Sequence, residues 1–291
     1  MNRPSVRLLI FAGIHVGSCA VGFAASQWYV WIAVWMLQAV NFLTVVAVVH
    51  ECTHQHYFSS RRANRITGTL MASLGLTCFE AYRAQHTLHH AHTCDVGDTE
   101  GEPYKFTARW QIAGAFLGGG LFYSLLLTGT GFAVAAGHSP TWLASDRQRR
   151  RIRINVAVLT IGLAAVVALV VLDVVSFRAV AFAWLVPAVV AMVGPVPFVL
   201  IPEHYDAPGP GPAVVNTRTC TSNPVLRFFY LNTNLHTAHH DRPAVVWQEL
   251  PAHHRTIEDD IRPEWLFPSY WAFHRFMWTS TARRPTAAAH G

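Results

Sequence analysis

The chain predicts an all-α integral membrane fold: four transmembrane helices in two hairpins, with interfacial helices and a histidine-rich cap on the cytosolic side. Three observations predict it. Of the 291 residues 52% are hydrophobic and only 13% charged, where a soluble domain carries about 25%. Several uncharged tracts reach the ~20 residues that a helix needs to cross a hydrocarbon core about 30 Å thick. The basic residues fall between those tracts, and all but Lys105 are arginine.

Taken in order, Arg3 and Arg7 precede an uncharged tract from Leu8 to Val49. Such a start resembles a signal peptide, but the tract is too long for one and long enough for two crossings. It divides near Ser26 and Gln27 into spans at 8–26 and 28–49. Trp28, Trp31 and Trp35 mark the far interface, while Arg3, Arg7 and Arg61 put both outer ends of the hairpin in the cytosol. A second hairpin follows the basic run Arg147 to Arg153, with spans at 154–172 and 179–201 joined by Asp173 to Arg178. Pro187, Pro195 and Pro197 should kink its last span.

Two apolar stretches are short or broken. Ile66 to Phe79 is too short to cross, and Ile112 to Ala136 is interrupted by Gly118, Gly119, Gly120, Gly129 and Gly131, with Arg109 and Arg147 on its flanks. Both are expected as interfacial or re-entrant helices, at 66–79 and 112–136. Gly118 to Gly120, with Phe122 and Tyr123, could line a substrate tunnel, but close helix packing is the preferred reading. The remainder, 50–110 and 202–280, is expected as the cytosolic cap of a single domain covering 1–291. Pro208 to Pro212 reads as a loop, and Pro285 to Gly291 as a frayed end.

Composition excludes some function classes. Dispersed arginines form no stripe that would grip a nucleic acid. Cys19, Cys52, Cys78, Cys94 and Cys220 are odd in number and lack CxxC spacing, so neither a disulfide framework nor a thiolate zinc site is expected. They read as reduced packing residues.

The chemistry lies in the histidines. HECTH carries His50 and His54 four residues apart, which on a helix share one face. HTLHH carries His86, His89 and His90, and HTAHH carries His236, His239 and His240. In each of these two the i, i+3 pair shares a face while the adjacent histidine points to a neighbouring direction, so one cluster reaches two metal ions. Imidazole suits iron, whereas zinc takes about four ligands and does no redox chemistry. If the clusters form one site, an even number of crossings separates them, which favours four spans. His15, His138, His274 and His290 stand alone and read as surface or hydrogen-bonded residues, and His56, His92, His253 and His254 as structural. Glu51, Asp95, Asp98, Glu203, Asp206 and Asp241 lie beside the clusters and are candidates to accept the outer N–H of a ligating imidazole. Asn232 and Asn234 are further candidates near the third cluster.

These three boxes, with a membrane hairpin between the second and third, resemble those of the membrane fatty acid desaturase superfamily. Glu203 to Gly209 (EHYDAPG), Asn216 to Thr219 (NTRT) and His236 to His254 (HTAHHDRPAVVWQELPAHH) are similar to the carboxy-terminal half of its bacterial members. The resemblance implies a di-iron centre cycling between Fe2+ and Fe3+, His204 as a ninth ligand, O2 as co-substrate, and a ferredoxin or cytochrome-type donor with its reductase. No donor domain is evident in the sequence, so a separate one is expected on the basic cytosolic surface. The expected function is O2-dependent desaturation of a fatty acyl or other lipid-like substrate at the cytosolic face of the inner membrane, by a multi-pass protein with both termini cytosolic. A hydroxylase or ketolase, for example on carotenoids, or a tailoring oxidase of specialised metabolites is the alternative on the same scaffold. A histidine-rich metal transporter is more distant, since it would want its ligands near the bilayer midplane.

Overall fold

The computed structural model describes residues 3–100, 106–143 and 145–283. Lys105, His290 and the segment Pro285 to Gly291 lie outside the described residues. Among the described residues the regular structure is helical, apart from one two-residue parallel ladder between β1 (Thr219–Cys220) and β2 (Leu266–Phe267). It divides into two compact units, one of residues up to Gln85 together with Leu121–Ala191, the other of His86–Gly120 together with Met192 onward.

Among the described residues, five helices are long and apolar enough to cross a membrane: α1 (Pro4–Ala24), α2 (Trp28–His54), then, after the shorter α3 (Arg61–Leu74) and α4 (Phe79–His92), α5 (Arg109–Ala135), α6 (Asp146–Val171) and α7 (Phe177–Leu200). Four were expected. The additional one contains the glycine-broken tract 112–136, which forms a helix of crossing length with only a π turn at Ala115–Gly119. A glycine in a helix costs about 1 kcal/mol relative to alanine, and Gly131 is set in close packing against Val156 and Cys78. Length and composition therefore do not confirm the four-helix count.

In the first unit, α1 and α2 are joined by polar bonds inside their apolar faces. Asn41 donates to the Phe11 carbonyl (3.1 Å) and Gln38 to Ser18 Oγ (3.1 Å), so the amide N–H groups of both find acceptors on α1 away from water. Gly22 allows a close approach, since a Cβ there would overlap the Phe182 ring as it now stands. Trp35 donates to the Phe182 carbonyl at 3.2 Å, fixing the start of α7 against the turn-side half of the hairpin. Ser60 Oγ caps α3 by accepting the Ala63 N–H at 3.3 Å.

The tract expected as one helix over 66–79 is instead divided. α3 stops at Leu74, Leu76 takes a left-handed φ of 53°, and α4 begins at Phe79. The carbonyls freed by that turn are not left bare. Trp184 donates to Leu74 O at 2.7 Å and Thr128 Oγ1 to Leu76 O at 2.5 Å, as an apolar setting demands. Asn155 of α6 ties the start of α4 by accepting from the Glu80 N–H (3.2 Å) and Cys78 Sγ (3.1 Å). Around it Cys78, Ala81, Leu127, Val134, Ile152 and Val156 form a buried core. The carboxy-terminal half of α5 packs there, with Val134 O accepting from Arg153 Nε at 3.2 Å at the basic end of α6.

The second unit adds short helices α8 (Ala213–Asn216), α9 (Pro224–Phe229), α10 (His236–Asp241), α11 (Leu250–Ile257) and α12 (Tyr270–Arg283). Ala207, Ile261 and Trp265 form one small core, and Leu235, Ala238 and Leu250 another. The π turn of α5 packs against the end of α7, where Gly120 meets the Met192 carbonyl so closely that a Cβ would stand 2.8 Å from it. That contact gives Gly120 the packing role read for the glycine run, whereas a Cβ at Gly118 or Gly119 would meet nothing within 4 Å. His274 donates to Phe198 O at 2.8 Å and stacks on the Phe198 ring, a hydrogen-bonded core histidine.

Candidate metal centre

The first box occupies the last turns of α2, which ends at His54 because Gln55 turns left-handed at φ 65°. His50 and His54 share a face, with ring centroids 4.9 Å apart. The buried Glu51 has an oxygen 3.6 Å from His50 Nδ1.

The second and third boxes meet within the second unit, the former on the last turns of α4 and the latter filling α10. His90 Nε2 stands 3.1 Å from His86 Nε2 and 3.1 Å from His239 Nε2. His204, just beyond α7, has its Nε2 at 3.1 Å from His89 Nε2 and 3.0 Å from His236 Nε2. His86, His90 and His239 belong to one set whose nitrogens all lie within 4.8 Å of one another, and His89, His204 and His240 form a second.

Hydrogen bonding does not account for this convergence. A neutral imidazole nitrogen carries one N–H or one lone pair, so the central Nε2 of each trio can make a good hydrogen bond to only one of the two nitrogens that face it. The buried Nε2 of His240 has no hydrogen-bond partner among the described residues. Lone pairs directed at a common point, inside protein and in two sets, are the donor arrangement a pair of cations takes, and all-imidazole sets fit iron.

The outer nitrogens are held. His86 Nδ1 donates to Glu100 Oε1 at 2.6 Å and His89 Nδ1 to Asp98 Oδ1 at 2.8 Å. His204 Nδ1 donates to the Asn216 carbonyl at 3.2 Å. Each bond places the proton on Nδ1 and leaves the Nε2 lone pair facing inward. Thr93 Oγ1 lies 3.3 Å from His240 Nδ1. Burial, aided by the neighbouring His89, depresses the His204 pKa to about 4, and burial with His90 and His236 pushes His240 well below the usual range. Both stay neutral, the form that binds metal. Burial works against protonation of His89 too, but Glu100 and Asp98 outweigh it and raise its pKa.

The other acids take different places. Glu203 is held by Tyr230 OH at 2.8 Å and lies 3.6 Å from His236 Nδ1, and burial raises its pKa. Asp95 accepts its own loop's Val96 N–H at 2.7 Å. Asp241 pairs with His253 at 2.8 Å, and Asp206 acts on Arg218. Asn232 donates to Trp247 O (3.0 Å) and Asn234 to Cys220 O (2.8 Å), so both brace loops rather than imidazoles. Cys94 packs its sulfur 3.8 Å from His204 Nδ1. Glu100, Thr93 and the Asn216 carbonyl escaped the sequence reading. Glu100 follows Asp95 and Asp98 in one acidic loop, the signal that would have found it. A polar cavity of about 180 Å³ opens beside His90 and His240, between Thr93, Asp95 and Asn216.

Comparison with known proteins agrees with this geometry. A 26% identical stretch of 88 residues is shared with a protein of Synechocystis sp. described as an sn-1 acyl-lipid omega-3 desaturase (ferredoxin), covering 30% of this chain and 24% of that one. A Delta(12) fatty acid desaturase of Mortierella isabellina is 28% identical over 67 residues, 23% of this chain and 17% of the relative. A chloroplastic omega-3 fatty acid desaturase of Brassica napus is 28% identical over 75 residues, 26% and 19%. The matched stretch thus spans less than a quarter of each relative's length. The model of the fatty acid desaturase family, by contrast, matches residues 26–274, most of the sequence, and the chain belongs to that family.

Proposed function

We propose that this protein is an O2-dependent, di-iron membrane desaturase that places a double bond in a fatty acyl or other lipid-like chain at the cytosolic face of the membrane. The observation that carries the reading is the pair of imidazole sets in the second unit. His86, His90 and His239 would hold one iron and His89, His204, His236 and His240 the other, with His50 and His54 as the first unit's contribution to the ligand set. Bound there, the two irons would supply the reduction of O2 that attack on an unactivated C–H bond requires. The balance is R–CH2–CH2–R′ + O2 + 2e⁻ + 2H⁺ → R–CH=CH–R′ + 2H2O. The electrons come from outside the chain, and the names of two relatives, one from Synechocystis and one from Arabidopsis thaliana, specify ferredoxin.

The chain's own residues keep the site ready for this. Glu100, Asp98 and the Asn216 carbonyl fix the tautomers of His86, His89 and His204, and burial keeps His204 and His240 unprotonated. The polar cavity beside His90 and His240 gives water and protons a way in that does not pass through the bilayer.

For the topology, we propose that α5 lies in the interface and does not cross. In the first unit its carboxy-terminal half contacts the basic, amino-terminal end of α6. In the second unit its π turn contacts the end of α7 that leads into His204. Four crossings then leave the boxes on one face of the membrane, with both ends of the chain in the cytosol.

Co-expression with a ferredoxin and its reductase, followed by lipid and metabolite profiling, tests the reading. Desaturation appears as a product lighter by two hydrogens. A product gaining oxygen would move the assignment to a hydroxylase or ketolase. Absence of iron in the purified protein would reject it.

A further inference from the structure

The loop after the second box presents two carboxylates to two different imidazoles, and the two are not equivalent. Asp98 Oδ1 accepts from His89 Nδ1 at 2.8 Å and also from the Glu100 N–H at 3.0 Å. Its second oxygen accepts the Cys94 N–H at 2.8 Å. Cys94 and Gly97 take left-handed φ values of 60° and 99°, which curl the loop around that carboxylate. Glu100 reaches His86 Nδ1 at 2.6 Å, and its backbone is held by Asp98. The Asp98 side chain is 4% exposed and that of Glu100 23%.

We infer that Asp98 and Glu100 are positioning residues arranged in a hierarchy: Glu100 orients the imidazole of one metal set, whereas Asp98 orients an imidazole of the other and, through the Glu100 backbone, governs both. The inference rests on the two-iron reading above, since His86 belongs to one imidazole set and His89 to the other. The physical basis is general. A carboxylate accepting Nδ1–H fixes the tautomer, aims the Nε2 lone pair and makes the imidazole a stronger donor, and its loss costs about 10- to 100-fold in metal affinity. The hierarchy is particular to this loop. Removing charge from Glu100 leaves every bond to Asp98 in place, while altering Asp98 releases His89 and the anchor of Glu100 together.

The test is anaerobic titration of the full chain in nanodiscs with ⁵⁷Fe²⁺, read by bound iron per chain and by Mössbauer spectroscopy. Wild type should show two iron environments. Glu100→Gln should weaken one by about 10- to 100-fold and disturb the other far less, since that site feels the Glu100 charge through His89 but takes no side-chain hydrogen bond from it. Asp98→Asn should shift both. Weakening of both sites alike by Glu100→Gln, or an Asp98→Asn effect confined to one site, overturns the hierarchy. Unchanged affinities in both variants overturn the positioning roles altogether. Should Asp98→Asn fail to fold, as judged by its thermal melt, the one-site result for Glu100→Gln still decides whether Glu100 serves a single iron. Wild-type protein that takes up no iron would reject the two-iron reading itself, which is a separate result from two irons bound and indifferent to both substitutions.

Discussion

His204 is the sharpest point at which to test the centre, because it stands outside the three boxes and no spacing pattern argues for it. Its Nε2 faces His89 Nε2 at 3.1 Å and His236 Nε2 at 3.0 Å, while its Nδ1 is held by the Asn216 carbonyl. His204→Ala removes a donor directly. An outer-shell change costs about 10- to 100-fold in metal affinity, so loss of the donor itself should exceed the upper end of that range, more than about 2.7 kcal/mol. The expected outcome is a protein that inserts normally, holds about half the wild-type iron and has no detectable turnover. His254→Ala is the control: it removes a similarly buried imidazole that belongs to neither set. Iron is measured by mass spectrometry on purified protein and turnover by product analysis. A His204→Ala protein with wild-type iron and activity would refute the placement of this residue in the centre, and a His254→Ala protein with the same iron loss would show that burial, not ligation, was being measured.

Further outcomes follow from the same geometry. His89→Ala and His239→Ala, one from each imidazole set, should each abolish turnover without loss of membrane insertion, checked by activity and membrane fractionation. Metal-free protein should lose stability as pH falls from 6.5 toward 4: the folded His204 resists protonation down to about 4, whereas the unfolded chain takes up that proton near 6.5. Its contribution is therefore complete above pH 6.5 and lost below, with a ceiling of about 3 kcal/mol, and a melting temperature that stays flat across this window would contradict it. Asn155→Leu should lower stability by about 1–3 kcal/mol, because the Glu80 N–H and Cys78 Sγ lose their acceptor inside the α6 packing. Thermal denaturation in detergent measures that change.

What could be read from the sequence follows from periodicity, and what could not follows from tertiary contact. The i, i+3 and i, i+4 spacing of the boxes is a local property of helices, so His86, His89, His90, His236, His239 and His240 were visible as candidates before any coordinates. Glu100 was not, since its link to His86 is made by a loop that no periodicity describes. His204 emerged only by family resemblance, because a single histidine after an apolar tract carries no spacing signal. The turn after Leu74 was hidden inside an apolar run, and its cost is offset by donors from Trp184 and Thr128 that lie far away in the chain. The glycines of α5 suggested a broken element, but burial against Cys78, Val156 and Met192 keeps the helix continuous.

The NTRT segment, conspicuous only as part of a resemblance, has a mechanical explanation that leads to one more prediction. Asn216 O takes the His204 Nδ1 proton, Thr217 O accepts from Thr237 Oγ1 at 3.4 Å, the Arg218 N–H donates to Glu203 O at 2.9 Å, and Thr219 Oγ1 donates to Thr237 Oγ1 at 3.0 Å. Asn216 and Arg218 thus hold the chain around His204, and Thr217 and Thr219 hold Thr237 of the helix that carries His236, His239 and His240, so the segment links the two. Arg218 anchors the strap. Its buried guanidinium donates to Tyr205 O at 2.6 Å and Glu264 O at 3.0 Å and lies 3.9 Å over the Trp265 ring. Arg218→Met keeps the bulk but strands two carbonyls at about 1–3 kcal/mol each and removes a desolvated cation–π contact of about 2 kcal/mol. The expected loss is about 1–6 kcal/mol after the methionine's own burial is set against it, and it should be accompanied by weaker iron binding at the set containing His204. Calorimetry and iron titration read the two effects separately. An Arg218→Met protein that melts with wild type and retains both irons would show that His204 and the third box are held in register by something other than this strap.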